Sequence, residues 1–346
     1  MSRHHWSVLA RGAIALSVLL TGCRFSGFGD GSSRLRATAA TDWLTGQQQL
    51  DGGFEVAGFA GFETPDAVLA IAENAQTKFL WNSVEGLNAV KSVVRNGHTP
   101  LNALDNFADG AINAGQAAKL IVLDVVPLGL DPRHFNPDGD VSRDLVAIVD
   151  FSARSDGSYG TLNATLFAAI AKRLVSGSVP AATVAFIRHA QQANGGWSFS
   201  GNPAGTDLDI DTTGLAVQAL AAAQVAPTDS ALTRALAFLA NQHRASGAWQ
   251  SFGSDDPNST SLAVLAVTAA GFDPTSRCWR DTVAPGLASM PYTSPIVWLG
   301  SKQASDGHIV SPNDAFPPVN TFATSQTVQA LRRGWIPVTP LNPRTC

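Results

Sequence analysis

Three aspartates alternate with other residues just before an apolar segment in the second half of the chain. Asp207, Asp209 and Asp211 are followed by Thr212 and then by Gly214 to Ala223, a segment of mostly small apolar residues. Grouped carboxylates can act as a general acid or base, or they can bind a ligand or a cation. A simpler interpretation is that Asp211 caps the helix that the apolar segment predicts.

A calcium-binding loop is not predicted at these aspartates. Such a loop requires a glycine directly after the third acidic ligand and a glutamate at its last position. The sequence has Thr212 and Gln218 there. The acidic pairs Asp138-x-Asp140 and Asp255-Asp256 lie in loops rich in Gly, Pro and Asn, where aspartate commonly forms turns, although glycosidases also use paired carboxylates.

Other sequence motifs of catalysis are absent from the chain. It contains no Gly-x-Ser-x-Gly, no phosphate-binding loop of the Walker type and no His-Glu-x-x-His. We therefore predict neither a metal ion nor a cofactor.

The N-terminus has the features of a lipoprotein signal peptide. Arg3 and Arg11 precede the short apolar run Gly12 to Leu20, and Leu20-Thr21-Gly22-Cys23 resembles a bacterial lipobox. The run is too short to span a membrane. We predict cleavage before Cys23, lipid attachment to Cys23 and localisation at the extracytoplasmic face of the cell membrane, to which this lipid anchor is the only attachment expected.

The other two cysteines are Cys278 and Cys346. In an exported protein an isolated pair favours a disulfide, and closing the long loop between them would stabilise the fold by about 4 kcal/mol on the chain-entropy model. Two buried free thiols are the alternative.

Composition and charge narrow the functional classes. The 346 residues are 45% hydrophobic and 14% charged, which excludes a disordered chain. There are 23 Lys and Arg against 27 Asp and Glu, so we predict no nucleic-acid partner. The low charged fraction also indicates that an unusual share of the chain is buried or covered by small neutral residues.

Internal repeats indicate how these residues are positioned. A Gly-containing turn that ends in a large apolar residue recurs along the chain, and it follows Gln in its clearest copies. The anchoring residues are Phe54, Tyr159, Trp197, Trp249 and Ile309. Their separations leave room for a further, degenerate unit whose second half survives at residues 113–130, so six units result.

Each unit contains two predicted helices of different character. Residues 183–192 have apolar positions at helical spacing and a polar outer face, whereas residues 214–223 are apolar nearly all round. The same division recurs at 231–240 and 261–270. Six such pairs closed in a ring predict an all-α fold, an (α/α)6 toroid or barrel with the apolar helices inside. Since those helices are rich in Ala, Leu and Val, we expect them to offer few aromatic faces.

Polar residues precede the inner helices and should gather around one mouth of the barrel. Asp211-Thr212-Thr213, Asn258-Ser259-Thr260 and Glu63-Thr64-Pro65-Asp66 are candidate helix starts. The expected ligand contacts are Asp207, Asp209, Asp211, Thr212, Trp197 and Asn258.

The turn pattern followed by Asp-x-Asp-Thr resembles the terpenoid cyclase and protein prenyltransferase α/α-toroid superfamily. The Gln…Gly-Trp segments are similar to the QW repeats of squalene-hopene cyclases, and residues 209–214 are similar to the segment that carries the Asp-x-Asp-Asp acid motif. The resemblance implies the toroid fold. It also implies Asp211 as the candidate catalytic acid, because Asp211 corresponds to the middle aspartate of that motif. Asp209 corresponds to the first aspartate of the motif, and Thr212 replaces the last.

The leading functional hypothesis is a lipid-anchored, non-catalytic binding protein for a small or isoprenoid-like ligand or for a partner. The alternative is a terpene cyclase-like or prenyltransferase-like enzyme that acts on an isoprenoid substrate. Cobalamin is a candidate ligand only by analogy with the toroids of cobalamin carriers. A structural protein with a filled barrel is a third alternative.

The chain is predicted to form one folded domain with short flanking segments. These are a signal peptide at 1–22, a flexible tether at 23–40, the toroid at 41–340 and a tail at 341–346.

Overall fold

The computed structural model describes residues 31–55, 61–78, 80–312, 321–335 and 341. In this part of the chain nearly all regular structure is helical, and two short strands form one hairpin. The helices are α1 Gly31–Gly46, α2 Thr64–Ala75, α3 Ser83–Ser92, α4 Pro100–Asp109, α5 Ala114–Leu120, α6 Leu145–Phe151, α7 Leu162–Ser176, α8 Ala181–His189, α9 Ile210–Ala222, α10 Ser230–Gln242, α11 Pro257–Ala269, α12 Cys278–Val283, α13 Pro295–Ser301 and α14 Thr321–Arg332. The strands are β1 Trp249–Ser251 and β2 Ser254–Asp256, paired antiparallel.

Six helices form a closed inner ring. In chain order they are α2, α5, α7, α9, α11 and α14. From α5 onward each packs against the next, and α14 returns to α2. The step from α2 to α5 is made by a π-helical turn, Ile121–Val125, which continues α5 and contacts α2. This is the predicted toroid, so the all-α fold is confirmed.

The inner helices are buried on nearly every side, as their composition predicts. All residues of α9 except Asp211 are buried, and α11 is similar. Small residues let neighbouring backbones approach closely: a Cβ on Gly214 of α9 would lie 3.1 Å from the carbonyl oxygen of Leu262 in α11. Ala-rich inner helices are therefore a packing requirement of a narrow barrel.

Outer helices alternate with inner ones along the chain. They are α1, α4, α6, α8, α10 and α13, while α3 and α12 are additional helices on the outside. The first helix, α1, packs against both α14 and α2, so it covers the junction between the last and the first unit.

The tether prediction is wrong for residues 31–40. Residues Ala37, Ala40 and Leu44 of α1 are spaced by one helical turn and are fully buried. This apolar stripe needs a partner, and it packs against the inner ring, so the toroid includes these ten residues.

The Gly-containing turns share one hydrogen bond to the following inner helix. In each, the backbone N–H of the anchoring residue donates to a threonine hydroxyl in the first or second turn of that helix, at 2.9 to 3.0 Å. The pairs are Phe54 with Thr64, Tyr159 with Thr165, Trp197 with Thr213, Trp249 with Thr260 and Ile309 with Thr324. A buried N–H is thus satisfied in the same way in five units.

Glutamine side chains join one unit to the next at three of these turns. Each glutamine amide donates to the glycine carbonyl of its own turn and to a backbone carbonyl in the first two turns of the next outer helix or just before it. The bonded carbonyls of the next unit are His98 for Gln48, Ala231 for Gln191 and Arg36 for Gln303. Since Arg36 lies in α1, the bond from Gln303 closes the ring.

The caps of two inner helices lie two residues earlier than the sequence predicts. Asp209 accepts from the backbone N–H of Thr212 at 2.9 Å, and Asp256 accepts from that of Ser259 at 2.9 Å. A capping side chain reaches the third residue of its helix, so the polar first turn belongs to the helix itself. Asp211 is therefore not a cap.

Several predictions fall on residues outside the described ranges. Cys23 and Cys346 both do, so the lipid anchor and the disulfide with Cys278 remain predictions, as does the C-terminal tail apart from Leu341. Among the described residues no helix is long and apolar enough to cross a membrane.

Candidate functional site

A cavity of about 1100 Å³ runs through the inner ring. It begins at the N-terminal ends of the inner helices and extends to Trp335, which follows the C-terminal end of α14. Six aromatic residues line it: Phe62, Phe167, Phe199, Phe252, Phe322 and Trp335. The inner helices contribute only Phe167 and Phe322 to this set, and the loops at the mouth and floor contribute the other four, so the cavity is more aromatic than the composition of the inner helices indicates.

Asp211 lines the cavity from the first turn of α9. Its Oδ1 is buried and has no hydrogen-bond partner among the described residues. The pKa of Asp211 is raised to about 6: burial is the main cause, a hydrogen bond with the Ser259 side chain opposes it, and the nearby charges of Asp209 and Asp256 contribute to the rise. This carboxyl group therefore carries a proton at mildly acidic pH. Its Oδ1, in the cavity wall, is available to hydrogen-bond with a ligand.

The neighbouring aspartates are placed differently. Asp209 lines the mouth, but its carboxylate is engaged by Thr212, from the backbone N–H at 2.9 Å and from the hydroxyl at 2.7 Å. Asp207 lines the mouth and is exposed. The structure thus brings the three aspartates and Thr212 to one edge of the cavity, with Asp211 deepest.

Two other predicted ligand contacts do not reach the cavity lining. Trp197 is fully buried, and its indole N–H donates to the carbonyl of Ile187 at 2.7 Å. Asn258 is buried against Gln326, to which its amide donates at 3.2 Å. Both residues hold helices together.

A buried ion pair lies on the opposite wall. Lys119 of α5 contacts Asp66 of α2, with 2.7 Å between Nζ and Oδ2. The ammonium group also donates to the carbonyl of Phe62 at 2.6 Å and lies 5.1 Å from the centre of that ring and 5.9 Å from that of Phe322. A lysine held by a carboxylate, a carbonyl and two aromatic faces is fixed in position.

The ion pair and Asp211 face each other across the barrel. Two inner helices separate α2 from α9 in either direction around the ring, and both acids lie in the first turn of their helix. Below them the lining includes Leu69, Ile170 and Leu265. A ligand in this cavity would therefore meet polar groups on two sides of the mouth and an apolar, partly aromatic interior.

The π-helical turn carries another buried acid. Asp124 is fully buried, and neither carboxylate oxygen has a hydrogen-bond partner among the described residues. Burial raises its pKa well above the ordinary value, and the positive charge of Lys119 lowers it. π-Turns often mark functional sites, and this one places an acid between α2 and α5.

Glu73 supports the floor of the cavity. Its Oε1 accepts from the backbone N–H of Trp335 at 3.0 Å, and the Trp335 indole N–H donates to the carbonyl of Val122 at 3.0 Å. Burial raises the pKa of Glu73 to about 8, although the Trp335 hydrogen bond and the charge of Arg332 lower it. Glu73 is thus neutral at pH 7.

Glu73 makes stability depend on pH with a defined sign. Its folded pKa of about 8 exceeds the ordinary 4.5, so the folded state binds more protons than the unfolded state between these values. The free energy of unfolding should therefore fall as pH rises from 4.5 to 8, by up to about 1.4 kcal/mol per unit. Glu73→Gln keeps the Oε1 acceptor for Trp335, so we expect it to flatten this slope and to stabilise the protein at pH 8.

Urea unfolding of both proteins at pH 5, 6, 7 and 8 measures the effect. Glu85→Gln is the control, because Glu85 is only partly buried and hydrogen bonds lower its pKa. Equal slopes for Glu73→Gln and the unmodified protein would contradict the role of Glu73.

The sequence contained a signal for the residues that motif reasoning missed. Lys119 and Asp124 interrupt an otherwise apolar segment, as Glu73 does in α2. A charged residue on an inner helix has no route to solvent except through the barrel, so it must be paired, neutralised or exposed in the cavity. Which charged residues meet could not be foreseen, because Asp66 and Lys119 are far apart along the chain.

The comparison with known proteins supports the architecture. No protein-family model matches the chain, and no curated protein matches it. The apo structure of the type II terpene cyclase MstE from Scytonema is 14% identical, covers 87% of this chain and 97% of its own, and has a TM-score of 0.61. A variant of MstE in complex with its substrate, geranylgeranyl dihydroxybenzoate, is 14% identical, covers 88% and 97%, and has a TM-score of 0.60.

A protein from Actinoplanes is also similar, at 20% identity with a TM-score of 0.51, covering 87% of this chain and 99% of its own. At such identities the likeness concerns the fold alone. The chain therefore has the helical toroid fold found in a type II terpene cyclase.

Proposed function

We propose that the protein binds an isoprenoid-like ligand, with a hydrocarbon chain and a polar end, inside the toroid. The cavity of about 1100 Å³ carries this proposal, because its charged side chains lie near the mouth and much of the remaining lining is apolar or aromatic, with glutamines such as Gln218 and Gln329 further in. This volume is slightly above the usual range for ligand pockets, which is roughly 300 to 1000 Å³. A long branched hydrocarbon would bury apolar surface against the aromatic and aliphatic lining, at roughly 25 cal/mol per Å².

The polar mouth favours a ligand with a hydrogen-bonding end over a plain hydrocarbon. An apolar group at the mouth would displace water from Asp211 on one side and from Asp66 and Lys119 on the other. It would offer these side chains no hydrogen bond in place of that water. The substrate bound by the MstE variant combines a geranylgeranyl chain with a dihydroxybenzoate group, which is the same kind of molecule.

Blocking the cavity should abolish binding without unfolding the protein. Leu215 lines the cavity wall on α9, so Leu215→Trp places an indole in the space that the ligand would occupy. We expect native mass spectrometry of the full-length protein to show one bound geranylgeranyl dihydroxybenzoate per chain, and Leu215→Trp to reduce binding at least tenfold.

Phe151→Trp is the matched control, because Phe151 is 91% exposed and lies outside the cavity. Circular dichroism checks that both variants are folded. Equal binding by folded Leu215→Trp and by the unmodified protein would place the ligand elsewhere and refute the proposal.

Acid-catalysed cyclisation is the second candidate function. It is favoured by Asp211, whose unpartnered Oδ1 lies in the cavity lining and whose pKa is raised to about 6. A neutral carboxyl can donate its proton to an alkene, and aromatic faces stabilise the cation that forms. The position of Asp211 near Asp209, the N-cap of α9, is consistent with the acid motif that the sequence resembles.

Turnover separates the two candidates. If the protein is a cyclase, incubation with geranylgeranyl dihydroxybenzoate should yield an isomer of equal mass, and Asp211→Asn should abolish its formation while binding persists. Asp131→Asn is the control, since Asp131 is exposed and does not line the cavity. If the unmodified protein binds the compound stoichiometrically but forms no product, the cyclase candidate is refuted and the binding function is supported.

The lipid anchor completes the proposal. Attachment through Cys23 would hold the toroid at the extracytoplasmic face of the membrane, where isoprenoid lipids could be exchanged with the bilayer. The motif Leu20-Thr21-Gly22-Cys23 and the preceding apolar run support it.

A further inference from the structure

A long loop after the second inner helix crosses the outside of the toroid and packs on α4. Phe135, a residue of this loop, is buried and forms an antiparallel bridge with Arg143 in the same loop. The backbone N–H of Asp138 donates to Oδ2 of Asp105 in α4 at 3.2 Å. The tip of the loop is thereby held over the side chain of Asp105.

Three carboxylates converge at this contact. Asp105 is fully buried, whereas Asp138 and Asp140 are exposed on the loop above it. One oxygen from each lies within 4.8 Å of the other two. The three come from two segments that only the fold brings together.

No basic side chain in the described ranges forms an ion pair with this cluster. Oδ1 of Asp105 is buried without a hydrogen-bond partner. The nearby arginines are engaged elsewhere: Arg143 Nε lies 3.1 Å from the carboxylate of Asp109, and Arg133 pairs with Asp144. None of the ion pairs in the described ranges includes Asp105, Asp138 or Asp140.

We propose that Asp105, Asp138 and Asp140 bind one calcium ion, which fastens the loop to α4. An all-oxygen, carboxylate-rich donor set is typical of hard divalent cations. Calcium accepts oxygens at roughly 2.3 to 2.6 Å, so ligands on opposite sides of the ion are about 4.6 to 5.2 Å apart. Oxygens within 4.8 Å of one another can therefore share one calcium ion, while magnesium requires a tighter octahedron and retains more water.

The role of this ion is structural. None of the three aspartates lines the cavity, and the cluster lies on an outer helix. The site is independent of the proposed ligand and of any catalysis, so either proposal can fail without the other.

The experiment measures the melting temperature and the calcium affinity of the full-length protein after treatment with a chelator. We expect isothermal titration calorimetry to give one calcium ion per chain. A free concentration about 100 times Kd should raise Tm by about 5 °C. Magnesium at the same concentration should give a smaller shift.

Asp138→Asn and Asp140→Asn should remove the calcium-dependent shift, because each deletes one ligand charge at an exposed position that tolerates asparagine. Asp131→Asn is the control: it lies in the same loop, pairs with His134 and is outside the cluster. Asp105→Asn should fold without calcium and show no shift.

Three results would overturn the proposal. They are the absence of calcium binding to the unmodified protein, an unchanged shift in both Asp138→Asn and Asp140→Asn, and equal responses to magnesium and calcium. The two exposed variants keep the test valid if Asp105→Asn does not fold.

Discussion

Replacing Lys119 with methionine is expected to lower the free energy of unfolding by about 3 to 5 kcal/mol at pH 7. The substitution removes the charge partner of Asp66, whose side chain is only 5% exposed. Two glutamines donate to the other oxygen of Asp66, but Oδ2 would lose its only charged contact. Breaking a buried pair on one side is costly because the remaining charge is neither paired nor hydrated.

Lys172→Met is the matched control. Lys172 pairs with Asp150 at 2.8 Å and is 18% exposed, close to the 15% of Lys119, but Asp150 is 44% exposed. Water therefore solvates Asp150 when Lys172 is replaced, and we expect the free energy of unfolding to fall by about 1 kcal/mol or less. Urea unfolding of both variants at one pH measures the difference, and similar losses would show that the burial of Asp66 is unimportant.

The double substitution Lys119→Met with Asp66→Asn separates charge from packing. It removes both charges and keeps the shape of the aspartate, so most of the lost stability should return. A double variant as unstable as Lys119→Met alone would mean that the lysine stabilises the barrel through its contacts with Phe62 and Phe322.

Gly195→Ala is expected to lower the free energy of unfolding by about 3 kcal/mol or more. Gly195 lies in the repeated turn before α9 with a φ of +95°, where a side chain is strained. A Cβ would also lie 2.5 Å from the carbonyl oxygen of Arg234 in α10. Since this contact is with backbone, the turn itself must move away from the next unit.

Gly177→Ala distinguishes the two causes. Gly177 ends α7 with a φ of +74°, but a Cβ there would meet nothing within 4 Å. It should cost only the conformational strain, about 1 to 2 kcal/mol. Equal losses of stability for the two variants, measured by denaturant unfolding, would show that the close approach to Arg234 contributes nothing.

The same close approach recurs around the ring, which explains why the repeats were recognisable. A Cβ on Gly52, Gly157 or Gly307 would lie 2.1 to 2.3 Å from backbone atoms of the next outer helix or the residue before it. Only glycine fits at these points, so the turn has a fixed residue at a fixed place in each copy. The last of these contacts, from Gly307 to Ala39 in α1, is the one that closes the toroid.

Local patterns in the chain were sufficient for the architecture. Helical periodicity, recurrent turn glycines and the contrast between polar and apolar helices depend on neighbouring residues, so the all-α toroid of six helix pairs and its polar mouth could be predicted. The boundaries were less certain. The start of α1 was missed because short stretches of small residues, such as Ala37 to Ala40, resemble a linker until they have a surface to pack on.

The tertiary structure decided which polar residues are placed where they could bind a ligand or take part in a reaction. It assigned the cap to Asp209 and left Asp211 with an unpartnered oxygen in the cavity wall. It also paired Asp66 with Lys119 and placed Asp105 beneath Asp138 and Asp140. Desolvation and charge contact depend on groups that are distant along the chain, and no local pattern of residues reports them until the ring has closed.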